Sequence, residues 1–281
     1  MRMALLSRIV GITVLVGLAL ASTPARADSF GSPNFAIYGI SSLSINDSQN
    51  ANTVCVTGNA GSGGTFGLDK CLVQGNVYVT NPVNFTLGSN GAFTGTEVVG
   101  TLASVNSSLS SEAASLAALS PTLTINGDVT NSTTFSSGVI DINGNINLNQ
   151  QTLTLNGAGQ FIFNIAGTVG FSCSNIVLTG GASTANVIFN IQNSGTSTWN
   201  KDCTTWSGTI LDTTGTVDIH NQWALGDFSG QVFGDSVLLH SAGSVVQPTT
   251  SVPEPGSLLL LATGLLFLGC GQMSRRNLRY S

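Results

Sequence analysis

Charge is what this chain has least of: 8 of its 281 residues are Lys or Arg and 13 are Asp or Glu. Most of the basic residues sit at the two ends, so between Asp28 and Val252 only Lys70 and Lys201 stand against twelve acidic residues, a formal charge of −10. A surface so poor in cations cannot neutralise phosphate, which excludes nucleic acid and anionic lipid as partners of this segment. Histidine is nearly absent too. His220 and His240 are the only two, and each ends a strand-like run, where a surface hydrogen bond is the ordinary role. There is no Gly-x-Ser-x-Gly elbow and no Cys-x-x-Cys, and no Lys-Ser or Lys-Thr follows the glycine cluster at residues 58–64. No catalytic residue, nucleotide, cofactor or metal is therefore expected. Asp141, Asp212, Asp218, Asp227 and Asp235 are scattered rather than gathered in the dense acidic loop that calcium needs, and read as solvated turn residues.

Long hydrophobic runs are missing from the interior and occur only at the ends. Arg2 and Arg8 precede the apolar stretch from Ile9 to Leu20, and Ala25-Arg26-Ala27 offers small residues at a cleavage site. Residues 1–27 thus read as a signal peptide, with a signal helix in its apolar part. At the other end Val252-Pro253-Glu254-Pro255 is followed by an apolar stretch from Ser257 to Gly271 and then by Arg275, Arg276 and Arg279. The prolines break helical continuity with the preceding chain, the apolar stretch is just long enough to approach a membrane crossing, and the arginines favour the cytoplasmic side. This order of parts resembles the PEP-CTERM sorting signal of Gram-negative bacteria. The resemblance implies an exosortase at the inner membrane as partner, a transient C-terminal transmembrane helix over part of residues 251–281, cleavage near Pro253 to Pro255, and release to the cell surface or an extracellular matrix.

Cysteine is sparse but even in number once Cys270 is assigned to the sorting segment. Cys55, Cys71, Cys173 and Cys203 remain, a count that in an exported chain suggests disulfides. The local pairings, Cys55 with Cys71 and Cys173 with Cys203, are the ones expected among the three possible connectivities.

What fills residues 28–250 is Gly, Ser, Thr and Asn interleaved with short apolar segments, the composition of a secreted, mainly β domain. Segments such as Leu43-Ser-Ile45, Thr152-Leu-Thr-Leu155 and Val217-Asp-Ile219 are three to five residues long and alternate, as half-buried strands do. Asn126-Gly127, Asn143-Gly144 and Asn156-Gly157 mark sharp corners. Phe161-Ile-Phe-Asn-Ile165 and Val187-Ile-Phe-Asn-Ile191 are near copies 26 residues apart, which points to coils stacked on one another. One stretch differs. Val98, Leu102, Val105, Leu109, Ala113 and Leu116 recur at helical spacing, so a helix is expected over about 95–119, with Thr94-Gly-Thr-Glu97 as a capping box and Pro121 as a stop. The fold expected is an irregular β-solenoid, or β-helix, with one long α-helix packed alongside; a β-sandwich is the alternative.

The segments Asn186-Val-Ile-Phe-Asn190, Trp206-Ser-Gly-Thr-Ile-Leu211 and Phe228-Ser-Gly-Gln-Val-Phe233, followed by Leu239-His-Ser241, resemble the last coils of exported bacterial choice-of-anchor A domains, relatives of collagen-binding adhesin modules. The same order of elements also resembles the bacterial ice-binding solenoids. Ice binding requires a flat array of short side chains repeated coil after coil. Thr122-Leu-Thr124 and Thr152-Leu-Thr154 fit that need, whereas Ile140-Asp-Ile142 and Ile146-Asn-Leu148 interrupt it. The reading preferred from sequence is a noncatalytic surface or matrix protein that adheres to extracellular polysaccharide or a surface protein, with Trp199, Trp206 and Trp223 as contact residues. Ice binding and hydrolysis of matrix sugars are the alternatives.

Overall fold

The computed structural model describes residues 34–47, 53–200, 206–221, 228–241 and 245–247. The signal and sorting segments, Cys203 and Trp223 lie outside them. Strands alternate along the chain with tight corners, and every strand pairing among the described residues is parallel. Pairing falls into three stacks, so each turn of the chain contributes one rung to each of three faces of a solenoid. Long strands pass from one face to the next through a register shift, as between Gly39 and Ser42 and between Asp212 and Thr216.

The order of the rungs is not the order of the sequence. The chain begins in the middle, at strand Phe35–Asn46, and winds outward to Glu97–Val99 at one end. A helix then carries it back along the outside, and a second run of coils starts at Leu123–Ile125 at the far end. That second run winds inward until Phe228–Ser241 pairs with Phe35–Asn46, with Ile37 opposite Val232 and Ser42 opposite Ser236. The first and last long strands of the solenoid therefore close it at its centre.

Inward side chains form continuous apolar rows. Ile37, Val232, Ile210, Phe189, Phe163 and Ile140 follow one another on successive rungs, each at most 1% exposed. Phe163 stacks on Phe189 with ring centroids 5.0 Å apart, and Phe171 on Trp199 at 5.1 Å. Burying one such side chain contributes about 1.5–3 kcal/mol, so a lone coil has too little and stacking supplies the rest. The near copies identified in the sequence lie side by side in register, Phe161 opposite Val187 through Ile165 opposite Ile191. Gly208 and Gly230 also stand opposite each other at a corner, Gly208 at φ +128°, and a Cβ on Gly230 would collide with the Gly208 carbonyl oxygen. No other residue fits there.

The helix spans Ala103–Ala117, shorter than the 95–119 expected. Its N-cap is Leu102, with no side-chain capping bond, and Glu97–Val99 is instead a strand paired with Val77–Val79. Tertiary pairing thus overrides the helical spacing at Val98, which is 37% exposed. Leu102, Val105, Leu109 and Leu116 face the solenoid and pack with Phe35, Tyr38, Ile162, Ile188, Leu211 and Phe233. Polar groups fix the helix lengthwise. The Tyr38 hydroxyl donates to Asn106 Oδ1 at 2.6 Å, while the amides of Asn164 and Asn190 donate to the carbonyls of Leu116 and Ala113 at 2.9 and 3.0 Å. Cys55 and Cys71 are joined by a disulfide on the third face, on adjacent rungs. Cys173 is disulfide-bonded as well.

Candidate functional site

The three faces offer different surfaces to solvent. The helix covers the middle rungs of the first, whose outward side chains there are mostly core. The third is crossed by described strands only in two groups, with Asn175, Val177 and Thr179 outward in one of them. The second face is an unbroken parallel sheet of eight rungs, from Phe85–Leu87 at one end to Ile146–Asn149 at the other, and among the described residues no helix crosses it.

Alternation sets what this open face displays. In residues 42–46 Leu43 and Ile45 are buried, while Ser42, Ser44 and Asn46 point outward. Register then aligns outward residues across rungs. Thr65, Ser42, Ser236, Thr216 and Thr196 form one row, a single hydroxyl from each of five consecutive strands. Ser42 and Ser236 are hydrogen-bonded through their hydroxyls at 2.7 Å. The next row along the strands carries Thr86, Gly67, Ser44, Leu238, Asp218, Thr198, Gly170 and Asn147. Rows on one strand lie about 6.6 Å apart and rungs about 4.8 Å apart, so the outward side chains make a two-dimensional lattice fixed by the sheet ladder.

Two polar features break the lattice. In the third row His220 and His240 stand on neighbouring strands with rings stacked at 5.0 Å, and Asp218 is their neighbour in the second row. His220 Nε2 is 2.8 Å from Asp218 Oδ2, and His240 Nε2 is 3.6 Å from Oδ1. At the corner between the covered and open faces, Asp212 is fully buried and its Oδ1 accepts the Gly215 amide at 2.8 Å. Burial raises its pKa from 3.8 to about 7, against the lowering pull of the Gly215 and Thr214 amides, and the nearby Asp235 adds to the rise. Asp212 is a corner brace rather than the solvated turn residue expected of it.

The residues singled out in the sequence are dispersed. Trp199 is 1% exposed, stacked on Phe171 and edge-on to Phe189, so it is core and not a ligand contact. Trp223 lies outside the described residues. The two Thr-Leu-Thr segments sit on different faces: Thr124 is opposite Asp141 on the helix-bearing stack, and Thr154 is opposite Val177 on the third. They cannot act as one array. The row that does form joins Ser42 to Ser236 across 194 positions of sequence, and no local pattern signals that. A trace was legible all the same, because every member is a Ser or Thr at the head of a short alternating stretch.

A sequence model of the Ice-binding-like family matches residues 39–242, and a model of the PEP-CTERM protein-sorting motif matches residues 251–276. Among solved structures, an ice-binding protein from the Antarctic ascomycete Antarctomyces psychrotrophicus superposes with a TM-score of 0.55 at 20% identity, over 80% of this chain and 97% of that one. One from an Antarctic bacterium of the Flavobacteriaceae gives 0.56 at 20% identity, over 78% of this chain and 46% of that one. The DUF3494 domain of ice-binding protein 1 from Shewanella frigidimarina gives 0.52 at 17% identity, over 77% and 95%. At these identities the likeness is one of fold. No match is found among curated proteins. The C-terminal motif marks a secreted protein processed by an exosortase, anchored in the membrane before cleavage. The expectation of an adhesin for polysaccharide or a surface protein is overturned by the family match, which covers nearly the whole described solenoid.

Proposed function

The chain belongs to the Ice-binding-like family, and from that premise we propose that it is a noncatalytic ice-binding protein whose open face adsorbs to ice. The observation that carries the proposal is the row Thr65, Ser42, Ser236, Thr216 and Thr196, one short hydroxyl side chain per strand on a sheet that no other described element covers. Each hydroxyl contributes little alone. Held at fixed spacing, together they order a layer of water whose geometry continues into the crystal. The backbone ladder fixes their positions beforehand, so adsorption costs little conformational entropy. Near-neutral, small side chains suit this role, because charged groups hold their own hydration shells and disturb the layer.

Export fits such a role, since ice forms outside the cell. The chain is read as leaving a Gram-negative cell with residues 1–27 removed, held briefly in the inner membrane by its C-terminal segment, and then released to the cell surface or medium.

The test is thermal hysteresis and inhibition of ice recrystallisation by the exported protein. Thr216→Tyr, which puts a bulky ring within the row, should abolish most of both, and Thr154→Tyr on the third face should leave them intact. A wild-type protein inactive in both assays removes the ice-binding reading. An active protein insensitive to Thr216→Tyr moves the ice surface to another face.

A further inference from the structure

We propose that Asp218, His220 and His240 form a binding site for one divalent transition-metal ion of the zinc, nickel or copper(II) class. The geometry follows from the solenoid. Residues 218 and 220 are two apart on one strand and so share a face, and His240 is directly opposite His220 on the next rung. One ligand atom from each of the three residues can be chosen so that all lie within 4.8 Å of one another. A metal held about 2.1 Å from each would bring them to somewhat closer spacing, within reach of small side-chain rotations.

Two imidazoles and one carboxylate are donors suited to borderline metals rather than to calcium or magnesium. His220 Nε2 and Asp218 Oδ2 share a hydrogen bond of 2.8 Å, which leaves the other carboxylate oxygen over. Asp218 Oδ1 is shielded from solvent yet accepts no hydrogen bond, and so is Oδ1 of Asn46, whose residue stands opposite His240 on the following rung. An ion bound by Asp218 and both histidines would satisfy the first of these oxygens. The carboxylate is 17% exposed and the imidazoles 38% and 43% exposed, so the ion would be reachable from solvent and one or more waters could complete its shell. No Lys or Arg occurs in the strands Trp206–Asn221 and Phe228–Ser241, so no basic side chain on them competes for Asp218. The site is read from its own ligands and does not depend on the ice-binding proposal.

The test uses the exported protein without any affinity tag, titrated with zinc chloride and with nickel chloride by calorimetry, with stoichiometry from native mass spectrometry. One ion per chain is expected. His220→Ala and His240→Ala should each weaken binding by more than about tenfold, with Asp218→Asn weakening it as well. His240→Gln, of similar bulk and polarity, repeats the test should an alanine variant melt early, and Thr196→Ala on the same face should bind as wild type. Absence of saturable uptake, or uptake unchanged in both histidine variants, overturns the proposal.

Discussion

The covered and open faces of the solenoid share one backbone plan and one kind of inward row, yet their outward rows are opposites. Beneath the helix, the outward positions of successive rungs are Val139, Ile162, Ile188, Thr209 and Gln231 in one row, and Asn164, Asn190, Leu211, Phe233 and Tyr38 in the next. On the open face they are mostly Ser, Thr, Gly and Asn, broken by the Asp218 cluster, Leu238 and Asp69. Strand pairing is therefore indifferent to what projects outward. That freedom lets one face take up a helix and the other meet an aqueous or crystalline surface, with neither choice disturbing the core.

The comparison can be broken most severely from the covered side. Leu109 is completely buried between helix and sheet, so Leu109→Ala should cost about 2–5 kcal/mol. At about 2–4 °C per kcal/mol for a domain of this size, the melting temperature should fall by roughly 10 °C. A smaller loss tests the polar docking. Asn190→Ala removes the amide bonded to the Ala113 carbonyl and to Asn164 Oδ1, for about 1–3 kcal/mol by thermal unfolding. A fall no larger than that of an exposed serine variant would show that the helix is held by its apolar stripe alone.

Asp212 sits where the two faces meet, and its effect depends on pH. Its folded pKa, about 7, lies above the ordinary 3.8, so between those values the folded protein keeps a proton that the unfolded chain gives up. Stability from this group is highest below pH 4, falls as pH rises to 7 and is flat above it. Asp212→Asn cannot ionise. Its advantage over wild type should approach about 4 kcal/mol at pH 8, roughly three pKa units at about 1.4 kcal/mol each, and should shrink toward zero near pH 4, as followed by urea unfolding across that range. An advantage independent of pH would place the proton elsewhere. On the open face, by contrast, Thr216→Tyr should change stability by less than about 0.5 kcal/mol while removing ice activity. That separation between fold and surface function is the sharpest form of the comparison.

Parts of this contrast were legible in sequence. The runs Phe161-Ile-Phe-Asn-Ile165 and Val187-Ile-Phe-Asn-Ile191 lack the alternation of Ser42-Leu-Ser-Ile45, and they are the strands buried on both sides beneath the helix. The helical stripe of Val105, Leu109 and Leu116 showed the cover itself. The start of the helix was misread, because the spacing that placed Val98 on the stripe does not reveal that Glu97–Val99 finds a strand partner at Val77–Val79. Trp199 was misread for a related reason: an aromatic residue on an alternating strand points inward or outward according to register, and Thr196-Ser-Thr-Trp-Asn200 has polar residues at both parities.

The sequence by itself determined the sorting motif, the mainly β character, the existence of the helix and the alternation that separates inside from outside, because each rests on neighbours a few positions apart. Only the tertiary structure decided that the solenoid closes at its middle, that Ser42 and Ser236 belong to one row, and that Asp218 and His220 meet His240. Those are matters of register between distant parallel strands. A shift of one coil would keep the local patterns largely satisfied and put different side chains together, so the packing of the whole stack settles what no single strand encodes.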